Sequence, residues 1–591
     1  MRILKNTLFL MLFCGIGFQL FATTATPLLT ADEQLAKMGE VYFKFFTNGQ
    51  PTAETMANLS NMVSLAKIDG NEIYAFANKY EFAEFLKTGL PYEVLTPPSL
   101  EGPAPQMSDY SKKALSKSAA GAIAAFDWIH YPTYTGYQTI VSTLQSTYPD
   151  KVKYQVIGTS MGGRDIYAMN VSRNVGTRES EPKVLLIAGI HGNETFPIIM
   201  VMRLVDWLCS NYGIDPRATR ILDSIDLWIC PMHNPDGTYR GGNNTVTGAV
   251  RANNNGIDLN RNYPPLPPNP TPTFQKEVQV LMDFEKNHVF VVEIGYHSGT
   301  EGIPYPWSAV SRAHPDAAWW QFASRKYADT CQTYGPAGFF DDICNGAGQG
   351  YQCLYQAIGT EKDYMNYIIH CRGNCVESST AYILPETSLE NYWNYHYRSL
   401  LNWIQESLNG IRGIVTDSIT GRPLKARVWV ESHDVATDSS QMYGDLPHGN
   451  YYRPIVAGTW NVTYSCPGCT SKTVNGIVAQ NSRATIVNVK LHCTPTAVET
   501  VLQPQSKSFS IARTNRSIVI NCGDIRGIVR IGIYDIQGKM VDAVTLQPGS
   551  KNRTVVWNGA DNAVKRAGAR CYVARIESAE GNFQKPFVLS Y

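Results

Sequence analysis

Two apolar runs in this chain, KVLLIAGI and HVFVVEIGY, each lead straight into a short histidine motif. Both runs are short and rich in Val and Ile, which suits buried strands. From 119 to 410, strand-like stretches (VKYQVIG, RDIYAMNVS) alternate with helix-like ones such as IIMVMRLVDWL. That alternation predicts an α/β domain: a mixed, mostly parallel sheet flanked by helices. In open sheets of this kind ligands gather beyond the carboxyl ends of the strands. His191 and Glu194 of HGNE and His297 of YHSG all fall there. If the two strands are neighbours, the three side chains meet. Two imidazoles and one carboxylate, with a fourth position open, are the ligand set of a hydrolytic Zn2+ site holding one ion. HxxE alone is weak, because the same pair also reads as a packing histidine and a first-turn helix charge.

The chain is 591 residues long, too long for one core. A net charge of +1 gives no electrostatic reason to expect nucleic acid or an anionic membrane as partner. Residues 1–22 read as a secretory signal peptide: Arg2 and Lys5, then an apolar run, then small residues. No later stretch is apolar and long enough for a stable membrane span. Residues 23–118 form a small α/β unit ending in a Lys- and Ala-containing linker, read either as a simple connector or as the joint behind a propeptide. After 410 the pattern changes to short strands and turns. It predicts two small all-β sandwich domains, 411–493 and 494–591. The cysteines suit disulfides in an exported protein. Cys371 and Cys375 are close enough in sequence to pair locally, and the CPGC of Cys466 and Cys469 reads as a turn disulfide or two unrelated thiols.

Further motifs converge on the first domain. NPDG follows the strand-like LWIC, and RANNNGIDLNRNYP places two arginines and several amides before a Pro-rich loop. With HGNE, YHSGTEGIPYPW and NGAGQGYQCLYQAIGTEKDYMNY in this order, the chain resembles the zinc metallocarboxypeptidases, or funnelins. The likeness is closer to the subgroup of carboxypeptidases N, E and D, which has HGNE where the pancreatic enzymes have HSRE. That subgroup carries a transthyretin-like domain where residues 411–493 stand.

The resemblance implies roles position by position. His191, Glu194 and His297 match the zinc ligands. Asp258 matches the carboxylate bonded to the first ligand histidine, a contact that fixes the imidazole tautomer. Asn260 and Arg261 match the pair that grips a free C-terminal carboxylate, for which a planar guanidinium is well shaped. Arg251 matches the arginine that polarises the scissile carbonyl, and Tyr355 the tyrosine that closes over the bound end. Glu386 of STAYILPETS is the expected general base, with Glu377 as the fallback. The implied activity is a secreted carboxypeptidase acting on peptide or protein C-termini.

Two pocket positions depart from the family pattern. Ser308 stands where basic-specific members carry Asp, and Lys362 stands at the pocket floor. An ammonium there predicts preference for acidic C-terminal residues, unless Lys362 pairs with Glu361, Asp363 or Glu301, or reaches solvent. Residues 494–591 resemble the sorting domain of the type IX secretion system, which implies that machinery as partner and a secreted or cell-surface location in a Gram-negative bacterium. Two other functions stay open: a peptidoglycan peptide hydrolase, and a non-catalytic zinc-binding module of the same fold.

Overall fold

The computed structural model describes residues 29–110, 116–118, 121–123, 126–266 and 273–494, and from 510 onward mainly seven strands between gaps. The expected signal peptide and part of the 111–125 linker lie outside the described residues. The chain divides into two compact units, 1–492 and 493–591.

The first unit opens with a four-stranded antiparallel sheet. Its strands are β1 (Glu40–Phe46), β2 (Ser64–Asp69), β3 (Glu72–Asn78) and β4 (Tyr92–Val94), in the order β2-β3-β1-β4. Helices α1 (Ala31–Met38), α2 (Ala53–Met62) and α3 (Lys79–Leu86) accompany it. Thr30 and Asn78 close capping boxes at the starts of α1 and α3, satisfying otherwise orphaned helix N–H groups. Val41, Phe43 and Phe45 pack on Phe82 and Phe85 in a core of their own.

An eight-stranded mixed sheet follows. It comprises β5 (Val152–Thr159), β6 (Asp165–Val171), β7 (Lys183–Ala188), β8 (Asp226–Cys230), β9 (Phe290–His297), β10 (Thr300–Tyr305), β11 (Ala347–Gln349) and β12 (Arg372–Ser379). The order is β11-β10-β12-β9-β7-β8-β6-β5. The four central strands β8, β7, β9 and β12 run parallel. Both faces are covered, as parallel strands require. On one side Val184, Leu186 and Val292 join the core of α4 (Tyr134–Thr147), α5 (Phe196–Ser210), α6 (Pro216–Ser224), α8 (Ala317–Tyr334) and α10 (Glu386–Glu406). On the other, Leu185 and Ile187 meet α7 (Lys276–Lys286) and α9 (Glu361–Tyr367). The α/β class expected from the alternation is the fold observed.

From Gly410 two further sheets form, one built on Gly410–Asp417 and one on Gly458–Ser465. This β-rich region is pinned to the larger sheet by a buried ion network. Asp316 binds Arg372, at the start of β12, and Arg453 at 2.9 Å, while Arg453 also binds Asp434 at 2.7 Å. His433 reaches the same carboxylate at 2.7 Å. Asp316, His433 and Asp434 cluster closely enough to suggest a metal site. Two buried guanidiniums already neutralise them, so an ion pair network is the chemistry present.

The second unit holds a three-stranded sheet and a four-stranded antiparallel sheet, 529–589, with Ile518, Ile520, Ile531, Trp557 and Ile576 buried between its strands.

Cys371 and Cys375 do not pair. Both thiols are free and buried, one just before β12 and one inside it. Four residues of extended chain span about 13 Å, well beyond disulfide reach. The bridge that forms is Cys344–Cys353, across the loop bearing Gly350. Cys469 of CPGC is also disulfide-bonded.

Candidate metal centre and substrate cleft

His191 and Glu194 follow β7, and His297 ends β9, its parallel neighbour. Their ligand atoms converge. His191 Nδ1 is 2.8 Å from Glu194 Oε1, His297 Nδ1 is 3.0 Å from Glu194 Oε2, and the two imidazole Nδ1 atoms are 3.1 Å apart. All three residues are buried. The HGNE turn is held from behind by NPDG. A Cβ on Gly192 would lie 2.2 Å from the Gly237 carbonyl carbon, so only glycine fits. Asn234 Nδ2 donates to the carbonyls of Ile190, Arg251 and Ala252, tying HGNE, NPDG and RANNNG into one knot.

The donor set fits a zinc ion. His191 Nε2 donates to Asp258 Oδ1 at 3.1 Å, which leaves Nδ1 free of its proton for a metal. Burial would raise the Asp258 carboxyl, but Arg251 and His191 outweigh it and hold it well below the usual carboxylate range. Glu194 is likewise held low by His191 and His297 against its burial, and burial pushes His297 toward its neutral form. Neutral imidazoles and an ionised carboxylate are the forms that ligate.

Arg251 lies beside this cluster. Its Nε donates to Asp258 Oδ2 at 3.1 Å and its Nη1 is 3.3 Å from Glu194 Oε1. Asn260 Nδ2 is 3.4 Å from His297 Nε2, and Arg261 Nη2 donates to the Tyr355 hydroxyl at 2.9 Å. Ser308 and Lys362 line the same cleft. The ten positions brought together are thus His191, Glu194, His297, Asp258, Arg251, Asn260, Arg261, Tyr355, Ser308 and Lys362.

Glu386 is not among them. It begins α10, where its carboxylate binds His130 Nδ1 at 2.5 Å and the Gln106 N–H at 3.0 Å. The strand that reaches the site ends earlier, at Ser379, and the apolar YIL that suggested a strand is a loop. Glu377 occupies the strand end instead. It pairs in register with His297 and lines the cleft. Burial and the neighbouring Glu194 push its carboxyl well above the usual range.

A lysine is buried in the cleft lining. Lys362 is buried and donates to the Pro304 carbonyl. Among the described residues no carboxylate lies within ion-pair distance of it, and Asp363 is spent on the N–H groups of Ser308 and Ala309. Burial lowers its pKa, opposed by Cys375, Asp363 and Glu377. A Cβ on Gly350 would sit 2.7 Å from Lys362 Nζ and 2.8 Å from Ser308 Oγ, so these two polar groups converge where glycine leaves room. Cys375, Tyr382 and Glu361 also line the cleft and were not singled out from sequence as site residues. Alternation along β12 could have flagged Cys375 two positions before Glu377.

The amino-terminal sheet reaches into the same place. Ser64 of β2 accepts from Arg251 Nε at 2.7 Å and donates to Asp258 Oδ2. The Leu65 carbonyl accepts from the Tyr355 hydroxyl at 2.7 Å, and Glu40 accepts from the N–H groups of Arg251 and Ala252 at 2.8 and 3.0 Å.

Residues 137–399 match the family model described as zinc carboxypeptidase. This stretch of the chain is therefore similar to the zinc carboxypeptidases. Human carboxypeptidase D is 28% identical over 385 residues, covering 61% of this chain and 27% of the relative. Carboxypeptidase SOL1 of Arabidopsis thaliana is 29% identical over 342 residues, 55% of this chain and 65% of the relative. The chain therefore spans about a quarter of the carboxypeptidase D relatives it matches. Among solved structures, thrombin activatable fibrinolysis inhibitor is 17% identical with a TM-score of 0.46, covering 62% of this chain and 98% of that one. Carboxypeptidase A from Helicoverpa armigera is 16% identical with a TM-score of 0.47, covering 62% and 97%.

Proposed function

We propose that this protein is a secreted zinc carboxypeptidase that removes single residues from peptide C-termini, with preference for acidic ones. The observation that carries the reading is the His191–Glu194–His297 cluster with Arg261 and Tyr355 lining the same cleft. His191, Glu194 and His297 would hold one zinc ion, which when bound acidifies a water and polarises a carbonyl. Asn260 and Arg261 would grip the terminal carboxylate, so that only a chain end is positioned for cutting. Arg251 would stabilise negative charge developing on the scissile carbonyl oxygen. Glu377 would take a proton from the attacking water and return it to the leaving amine. Its place at the end of a central strand supports this role, and Glu386, engaged with His130, is set aside as base.

Buried and without a carboxylate partner among the described residues, Lys362 supports the acidic preference. A side-chain carboxylate in the cleft would supply the missing anion. The chemistry is tested by mass spectrometry of a mixed peptide pool with and without chelator. Single-residue losses from C-termini, abolished by the chelator, support it; intact peptides despite bound zinc would point to a non-catalytic module. Comparing kcat/KM on peptides ending in Glu, Arg and Phe tests the preference, and faster turnover of Arg would overturn it.

A propeptide role for residues 23–118 is supported by Ser64 and Leu65, which occupy the hydrogen bonds of Arg251 and Tyr355. The type IX sorting role of 494–591, with its cell-surface location, is proposed on sequence likeness alone. No helix among the described residues is long and apolar enough to cross a membrane.

A further inference from the structure

Glu361, next to Lys362 at the start of α9, also lines the cleft. It is 2% exposed, and its Oε1 has no hydrogen-bond partner. Its backbone N–H donates to Asn260 Oδ1 at 3.0 Å, which fixes it beside a residue assigned to the terminal carboxylate. Two glycines make space around it. A Cβ on Gly295 would be 2.4 Å from Glu361 Oε2 and 3.7 Å from Glu293 Oε1, and one on Gly373 would be 2.4 Å from Glu293 Oε2.

Glu293 of β9 and Glu285 of α7 are buried behind it, and neither carboxyl has a hydrogen-bond partner. The Tyr263 hydroxyl is similarly buried and unpartnered. The other titratable groups about this region are Tyr364, Cys230, Cys371, Cys375, Asp363, Glu377, Arg261 and Lys362. Three carboxyls thus crowd one buried region; Lys286 acts on Glu285 and Lys362 on Glu293, and the Lys362 ammonium is hydrogen-bonded to the Pro304 carbonyl. Like charges so placed cannot all ionise; part of the group stays protonated. A protonated carboxyl differs from a carboxylate in one decisive way: it can donate a hydrogen bond.

We propose that Glu361 is a specificity residue that, as a neutral acid, donates a hydrogen bond to the side-chain carboxylate of an acidic C-terminal residue held by Lys362. The inference rests on the acidic preference proposed above and deepens it. An ammonium and an acid hydroxyl together form a two-point carboxylate receptor, and ionising Glu361 turns one point from attractive to repulsive. Burial places that ionisation at about 8. Selectivity for acidic residues is therefore present below this pH and lost above it.

The test measures the ratio of kcat/KM for a Glu-ended against a Phe-ended peptide from pH 6 to 9.5, on the full chain before and after nicking in the linker. Ionisations shared by both substrates cancel in the ratio. The ratio is expected to fall roughly ten-fold or more through pH 8, the effect of one hydrogen bond to a charged group. Glu361→Gln, a donor that cannot ionise, keeps the low-pH ratio and removes the fall. If the fall persists in Glu361→Gln, it belongs to Lys362 and the proposal is overturned. A flat ratio in the native enzyme overturns it too. If Glu-ended peptides are disfavoured at every pH, the acidic preference itself fails, and this inference with it.

Discussion

His297 and Glu377 stand opposite each other in register on the parallel strands β9 and β12. One strand end supplies an imidazole proposed to hold the metal, and its neighbour supplies a carboxylate to the same cleft. Substituting Glu377→Gln should lower kcat/KM by about 10²–10⁴, the usual worth of a general base. Zinc content, measured by atomic absorption, should be unchanged. Glu386→Gln should alter kcat/KM only a few-fold, since that side chain serves His130. A large loss in Glu386→Gln with a small one in Glu377→Gln would reverse the assignment.

If His191 holds the metal as proposed, Asp258 acts on the site through it, and its loss should appear in affinity. Asp258→Asn keeps the shape but removes the charge that fixes the Nε2 proton. Zinc affinity should weaken by about 10–100-fold, read by competition with a chromophoric chelator. Unchanged affinity would mean the imidazole is oriented by the knot around Asn234 alone.

The clustering of His191, Glu194 and His297 was legible because they follow ordinary buried strands, and apolar runs such as KVLLIAGI announce themselves. Glu377 was only the fallback because β12, RGNCVESS, is buried yet polar. It tolerates that composition because its partners come from afar: Arg372 meets Asp316 and the Ser440 carbonyl, Asn374 meets Ser324, and Ser378 donates to the His297 carbonyl. No local pattern encodes such satisfaction. The loop apolar residues misled for the opposite reason. Leu384 is buried in the large core although it lies in a loop rather than a strand. The reach of Ser64 into the cleft was equally hidden, since it depends on how two sheets dock.

Glu285 should destabilise the protein as pH rises. Burial, then repulsion from Glu361, holds its carboxyl well above the usual range. A carboxyl whose folded pKa is raised contributes its stability below the unfolded value, about 4.3, and loses it as pH climbs. Glu285→Met removes both the charge and the unpartnered oxygens. Its melting temperature should exceed the native one by a few degrees at pH 8, with the gain shrinking toward pH 4.5. A gain independent of pH would mean that packing, not ionisation, sets the cost.

If the amino-terminal sheet inhibits, severing it should free two groups at once. Arg251 Nε is bonded to Ser64 Oγ and the Tyr355 hydroxyl to the Leu65 carbonyl, and both residues are proposed to engage the substrate. Limited proteolysis between Lys112 and Lys117 should raise kcat/KM at least about ten-fold, since each released hydrogen bond to a charged or mobile group is worth roughly that factor. Ser64→Ala in the unnicked chain should give a smaller rise, because the Leu65 carbonyl and Glu40 still hold the sheet in place. The two treatments together should not exceed nicking alone. Equal activity before and after cleavage, with the cut verified by mass, would leave residues 23–118 as a structural support of the cleft wall.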